Sequence, residues 1–224
     1  MGGLIPLGDA SRRPRGTSAV TLVLIAVNVY VFLKELTLGD RFVYAWSAVP
    51  VRILHGHHAV TLVTSMFLHA GWLHIIGNMV FLWAFGPEIE DAMGHIRYLV
   101  FYLAGGIVAM LAQVLATPYS HIPSLGASGA IAAVMGAFIV AYPRDRIRTI
   151  VFILIFVRIT FIPAALLIGF WFLLQVFSFG AITQTHTGGV AYVAHIAGFL
   201  FGVILFRLFR DPTRTPWRPT MYPR

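Results

Sequence analysis

Six stretches of roughly twenty predominantly apolar residues leave this chain of 224 residues few folds to choose from. Inside a bilayer every backbone N–H and C=O must be satisfied within the protein, so segments of this length are helices. The stretches are Thr17–Leu36, a second from Leu73 to Phe85 that starts a little earlier near Thr64, Arg97–Ala116, Leu125–Tyr142, Ile162–Phe177 and Gly189–Phe209. Pro118 and Pro143 stop the third and fourth, and Pro163 is tolerated in the first turn of the fifth. Composition agrees: 58% of residues are hydrophobic and 11% charged, against about 25% charged in a soluble domain. The expected fold is all-α, a polytopic membrane bundle of six transmembrane helices. Thr17–Leu36 lies behind Arg12, Arg13 and Arg15 and lacks a small-residue cleavage site, so it does not read as a signal peptide. Ile150–Phe161 is apolar but contains Arg158, which is costly at the bilayer centre. It reads as an interfacial or re-entrant segment leading into the fifth span, the alternative being one long tilted helix from Ile150.

Charge then orients the bundle. With six spans, both termini share one side, and thirteen arginines fall there against Lys34, Arg41 and Arg52 on the other. The outer loops Thr117–Ser124 and Ser178–Gly188 carry no charge. By the positive-inside rule both termini are cytoplasmic. The net charge of +8 therefore points to anionic lipid headgroups rather than nucleic acid. Residues 1–16 read as a basic cytoplasmic segment, 17–209 as the membrane domain, and 210–224 as a basic, Pro-rich cytoplasmic tail, unstructured and lipid-facing. There is no cysteine, which removes disulfides, thiolate metal sites and thiol nucleophiles.

Polar residues within spans are functional candidates by default. The second span carries His74 and Asn78, an i, i+4 pair on one helix face. The fourth opens with Gly126, Ala127, Ser128 and Gly129, and the sixth carries Ala194, His195 and Gly198. His74 precedes Glu88 by fourteen residues, Ser128 precedes Arg144 by sixteen, and His195 precedes Arg207 by twelve. At about 1.5 Å per residue these are depths of about 21, 24 and 18 Å from the inner surface, one level in the outer half of the core. A serine hydroxyl needs a positioned base, which His195 can supply, and a tetrahedral intermediate needs donors for its oxyanion. Asn78, His74 and the Ser128 backbone N–H are such donors, while Gly126 and Gly129 let backbone and substrate approach closely. No acid stands in the core of the spans, so the site reads as a Ser–His dyad.

Each motif has a plainer reading. Small-residue runs such as Gly126–Ala130 usually serve helix packing, as does the Gly198/Gly202 pair. A lone intramembrane histidine can belong to a proton pathway, and His74 with Asn78 can be a hydrogen-bonded clamp. Their common depth and complementary roles favour one site.

These residues, with Thr64–Gly71 (TSMFLHAG) between them, resemble the rhomboid intramembrane serine proteases, in order, spacing and topology, along nearly the whole chain. The resemblance implies Ser128 as nucleophile, His195 as general base, and His74, Asn78 and the Ser128 N–H as an oxyanion hole, supported by Gly126, Gly129 and Gly198. It implies cleavage of a substrate's transmembrane segment near its outer end, with lateral entry beside the fifth span. No cofactor is called for. The expected partners are transmembrane-helix substrates and the lipid bilayer, and the expected location is a cell membrane, the bacterial inner membrane. Some relatives place a tyrosine one turn after the serine to stack on the histidine; here that position is Ala132. Trp46 and Arg52 in the first outer loop are not the adjacent Trp-Arg pair of some relatives. Inactive relatives lose the serine or histidine, and this chain keeps both. The competing function is a catalytically inactive rhomboid-like module that binds or escorts membrane proteins.

The remaining polar clusters have simpler readings. His55, His57, His58 and His69 crowd the first outer loop without a nearby cysteine or carboxylate, so no metal site is assigned. Pro87, Glu88, Glu90 and Asp91 read as a solvated turn after the second span, with Glu88 or Glu90 available to pair with an arginine.

Overall fold

A computed structural model describes residues 3–11, 14–153, 156–182 and 191–214. The elements run β1 (Gly3–Asp9), α1 (Ala19–Leu38), α2 (Asp40–Trp46), α3 (Pro50–Leu54), α4 (Thr61–Thr64), α5 (Trp72–Met93), α6 (His95–Ala116), α7 (Ser128–Ala141), β2 (Arg146–Ile153), β3 (Phe156–Pro163), α8 (Ala164–Ile182) and α9 (Tyr192–Phe209). The six long helices α1, α5, α6, α7, α8 and α9 fall on the six apolar stretches. Three of them, α1, α6 and α9, are individually long and apolar enough to cross a membrane. A fourth candidate is bent by 94° between Thr61–Phe67 and α5. The second stretch is therefore broken at residues 68–71, where the buried Glu35 carboxylate of α1 accepts the His69 backbone N–H at 3.0 and 3.2 Å. The start of the sixth stretch at Gly189 lies outside the described residues.

The centre of the bundle is α7, whose residues from Gly129 to Phe138 are all buried. Its faces carry Ala and Gly, so neighbouring backbones come within reach. A Cβ on Gly198 would collide with the Gly129 carbonyl oxygen, one on Gly202 with that of Ala133, and one on Gly136 with that of Phe199. Helices α7 and α9 are thus in backbone contact, the packing favoured where lipid supplies no hydrophobic drive between helices. Aromatic rings close the core around them. Phe85 meets Phe138 edge-on at 5.1 Å, and Phe101 packs on both Phe201 and Phe209 at 5.3 Å.

The expectation of an all-α fold is corrected at the basic end, which carries a three-stranded antiparallel sheet in the order β1-β2-β3. Ile150–Phe161 is accordingly neither a re-entrant segment nor part of a long helix. Its described residues lie in two antiparallel strands, β2 and β3, whose register sets Arg148 opposite Phe161 and Ile150 opposite Ile159. The segment is rich in β-branched residues, and along β2 buried Ile147 and Thr149 alternate with exposed Arg146 and Arg148. Its partner, β1, comes from the far end of the chain and pairs Ile5 with Ile150. Pro163 closes β3, and α8 starts at the next residue.

Nor is the segment around Glu88 and Glu90 a solvated turn. Helix α5 continues through Pro87 to Met93, and both glutamates are buried. The partner of Glu90 is not an arginine. Its carboxylate accepts the backbone N–H groups of Val20 and Thr21 at 2.9 and 2.8 Å, the Thr21 hydroxyl at 2.6 Å, and faces His95 Nδ1 at 2.6 Å. Ser18 stands at the N-cap of α1 but makes no side-chain cap there. A carboxylate from another helix instead satisfies the orphan amides and meets the positive end of the α1 dipole.

One further expectation concerns the tail. Part of the tail is fastened rather than free: Asp211 N–H donates to Ala92 O at 3.0 Å and Arg214 Nη1 to Asp91 O at 3.2 Å. Residues 215–224, like Arg12 and Arg13, lie outside the described residues.

Replacing Glu90 by Ala should lower unfolding stability by about 2–3 kcal/mol, because charge-assisted bonds to buried amides are lost, while Glu90→Gln should cost less. Denaturation of the detergent-solubilised protein measures both. Gly198→Ala should cost about 1–3 kcal/mol by forcing α9 off α7, and the same assay reads it.

Candidate active site

Three helix starts converge on one place. Ser128 is the first residue of α7, His195 stands in the first turn of α9, and His74 and Asn78 occupy the first two turns of α5. The close seat of α9 on α7 aligns the first two. Ser128 Oγ lies 2.6 Å from His195 Nε2, and His195 is buried. A helix start also leaves its first amides without intrahelical acceptors, so the N–H of Ser128 is available at the positive end of α7.

The loop before Ser128 sets the approach. Gly126 takes φ +124°, a conformation that side chains disfavour, and its N–H donates to Ser65 O at 2.8 Å. Its α-carbon faces His74. A methyl group at Gly126 would lie 2.8 Å from His74 Cε1 and 2.9 Å from Nε2, and 3.7 Å from Ser128 Oγ. Nδ1 of His74 accepts the Ala70 backbone N–H at 3.3 Å, so in the neutral ring the proton is on Nε2, the nitrogen beside Gly126. His69 braces that ring edge-on at 5.1 Å. One turn further along α5, Asn78 is buried, and its Nδ2 has no hydrogen-bond partner among the described residues. A buried amide donor without an acceptor is costly unless something else fills the role.

The seven expected site residues therefore sort by geometry. Ser128 and His195 are hydrogen-bonded, Gly126 and His74 adjoin the pair, Gly129 and Gly198 form the helix contact beneath it, and Asn78 sits on the same helix as His74 with a spare donor. The place held by tyrosine in some relatives, Ala132, is fully buried and leaves the imidazole to other rings. Trp171 of α8 lies 5.8 Å from it at 41°, and Tyr192 lies 6.5 Å away, edge-on.

Sequence reasoning passed over Gln175. Its Oε1 lies 2.8 Å from His195 Nδ1, while its Nε2 donates to Trp171 O at 3.3 Å. The signal is present, since Gln175 is the sole amide side chain in Ile162–Phe177, but an orienting partner for a catalytic histidine is more commonly an acid. A carboxylate does stand near the C-terminal end of α1, in Glu35, where it holds the loop leading to His74 rather than His195.

Comparison with known proteins gives the same direction. A family model described as a rhomboid domain matches residues 56–211. The chain is 32% identical over 149 residues to "Rhomboid protease GluP" of Bacillus subtilis, covering 63% of this chain and 29% of that protein. It is 28% identical over 188 residues to "Rhomboid protein 1, mitochondrial" of Saccharomyces cerevisiae, covering 81% and 50%. To "Rhomboid-like protein 11, chloroplastic" of Arabidopsis thaliana it is 27% identical over 204 residues, covering 87% and 67%. The chain thus spans half or less of the first two relatives, which come from a bacterium and from a eukaryotic organelle. With a rhomboid match over more than half its length and apolar helices suited to a bilayer, this multi-pass membrane protein belongs to the rhomboid family.

Proposed function

We propose that the chain is an intramembrane serine endopeptidase that cleaves transmembrane segments of membrane-protein substrates with a Ser128–His195 dyad. The observation that carries this reading is the 2.6 Å contact of Ser128 Oγ with His195 Nε2 in a buried site. In this reading Ser128 Oγ attacks the scissile carbonyl carbon as His195 Nε2 takes the hydroxyl proton. The carbonyl oxygen becomes an oxyanion, received by the Ser128 N–H, His74 Nε2–H and Asn78 Nδ2–H. Collapse breaks the C–N bond, and the proton on His195 passes to the departing amine. Water then attacks the acyl-enzyme with the same base, releasing the acid product and restoring Ser128.

The six long helices are read as six spans with both termini cytoplasmic, in the inner membrane of a bacterium. The fourteen-residue α7 is about 21 Å long, shorter than a hydrocarbon core of about 30 Å. With its inner end at the bilayer surface, its start at Ser128 is sunk below the opposite one. Cleavage then falls near the outer end of a substrate helix. Family membership supports protease chemistry but also embraces inactive members, so the competing reading is a binding or escort module. Ser128 and His195 held together favour the enzyme, since a binder has no chemical use for the pair.

In proteoliposomes carrying a single-span substrate, wild type should release two fragments, and Ser128→Ala should release none. Equal product from both would overturn Ser128 as the nucleophile, and no product from either would favour the binding module. His195→Ala should lower kcat at least about 1,000-fold for want of a base. Asn78→Ala should be milder, about 100-fold, because two oxyanion donors remain.

A further inference from the structure

The dyad reading leaves open what selects the tautomer of His195. General-base catalysis needs Nε2 unprotonated toward Ser128, hence the neutral-ring proton on Nδ1. Isolated imidazole has no such restriction. We propose that Gln175 of α8 is a positioning residue that fixes His195 in the Nδ1–H tautomer, completing a Ser128–His195–Gln175 relay without a charge. This deepens the protease reading and rests on it.

The hydrogen-bond chain determines the direction of every member. The Trp171 carbonyl can only accept, so the Gln175 atom facing it is the Nε2 donor, at 3.3 Å. Oε1 of Gln175 must then face His195, and an amide oxygen can only accept, so Nδ1 at 2.8 Å carries the hydrogen. Nε2 is left as a lone pair toward the Ser128 hydroxyl at 2.6 Å. Among the described residues, the groups around the ring are Ser128 from α7, Trp171 and Gln175 from α8, and Tyr192 from its own helix. The titratable neighbour from α5 is His74. None of these supplies a carboxylate.

An amide suits the setting. A buried carboxylate would also accept from Nδ1, but it could not donate to the Trp171 carbonyl and would place an ion in a low-dielectric site at considerable cost. Gln175 offers the acceptor without the ion. Its consequence is mechanical: Gln175 and His195 are on different helices, joined there by Trp171 against the imidazole and by the Phe172–Phe199 stack at 4.3 Å. A movement of α8 away from α9 releases the tautomer lock while leaving Ser128 and His195 on their own contact.

The test uses the whole protein in bilayers with Gln175→Leu and Gln175→Glu beside Ser128→Ala. Gln175→Leu should lower kcat about 10- to 100-fold with little change in KM. Gln175→Glu, which keeps the acceptor and adds a charge, should restore most of kcat and move the acid limb of the pH profile to higher pH, since the imidazolium is favoured. The tautomer is read independently of activity from 15N-histidine spectra, assigned with His195→Ala. Wild type should show His195 protonated at Nδ1, and Gln175→Leu a mixture or the other form. A His195 proton on Nε2 in wild type, or a Gln175→Leu variant with unchanged spectrum and kcat, would overturn the proposal. Cleavage indistinguishable from Ser128→Ala with the expected spectra would instead overturn the protease reading, leaving the tautomer lock standing.

Discussion

The backbone contact between α7 and α9 is the constraint on which the rest depends. Gly198 lies on the Gly129 carbonyl and Gly202 on that of Ala133, leaving no room for side chains between the helices. In lipid, close packing of this kind supplies attraction that apolar burial alone does not. It also fixes function-bearing geometry. His195 is three residues before Gly198, and Ser128 is directly before Gly129, so the seat that joins the helices also sets their two polar side chains at hydrogen-bond distance. A larger residue at either glycine would disturb fold and site together.

Polar anchors at the two ends of the bundle hold this central contact in place. At the basic end Glu90 caps α1 from α5, accepting the Val20 and Thr21 amides. At the other end Glu35 accepts the His69 amide and fixes the loop that delivers His74. Both carboxylates are buried and serve backbone donors. That economy fits a chain with few charges: ions are used where the backbone leaves its hydrogen-bond ladder. Between them the proposed site is built from Ser128, His195, Gln175 and Asn78, none of which is a carboxylate.

Much of this was legible in the sequence for reasons that can be stated. Helices occur on all six apolar runs because a run of that length admits no other satisfied backbone in lipid. Ser128 and His195 are grouped by counting residues to the arginines near their helix ends, since rise per residue is fixed, whereas the marker used for His74, Glu88, is buried inside α5 rather than at its end. Other features were hidden because they depend on partners distant in sequence. Ile150–Phe161 reads in sequence as an interfacial or re-entrant segment or as part of a long helix, and its strand pairing is hidden because an apolar run does not reveal that Gly3–Asp9 will pair beside it. Glu90 looked solvated because its acceptors' partners, Val20 and Thr21, are 70 and 69 residues away. Pro87 suggested a helix end, yet α5 continues through it to bring Glu90 to α1. Gln175 was visible as a lone amide, but only the packing of α8 against α9 shows that it meets His195.

Covalent labelling of the membrane-embedded protein with a fluorophosphonate, with the modified residue located by mass spectrometry, tests most directly whether the helix contact creates an activated serine. The expected result is a single adduct on Ser128 in wild type that is lost in His195→Ala. An adduct on Ser128 that persists undiminished in His195→Ala, or none in wild type, would contradict it.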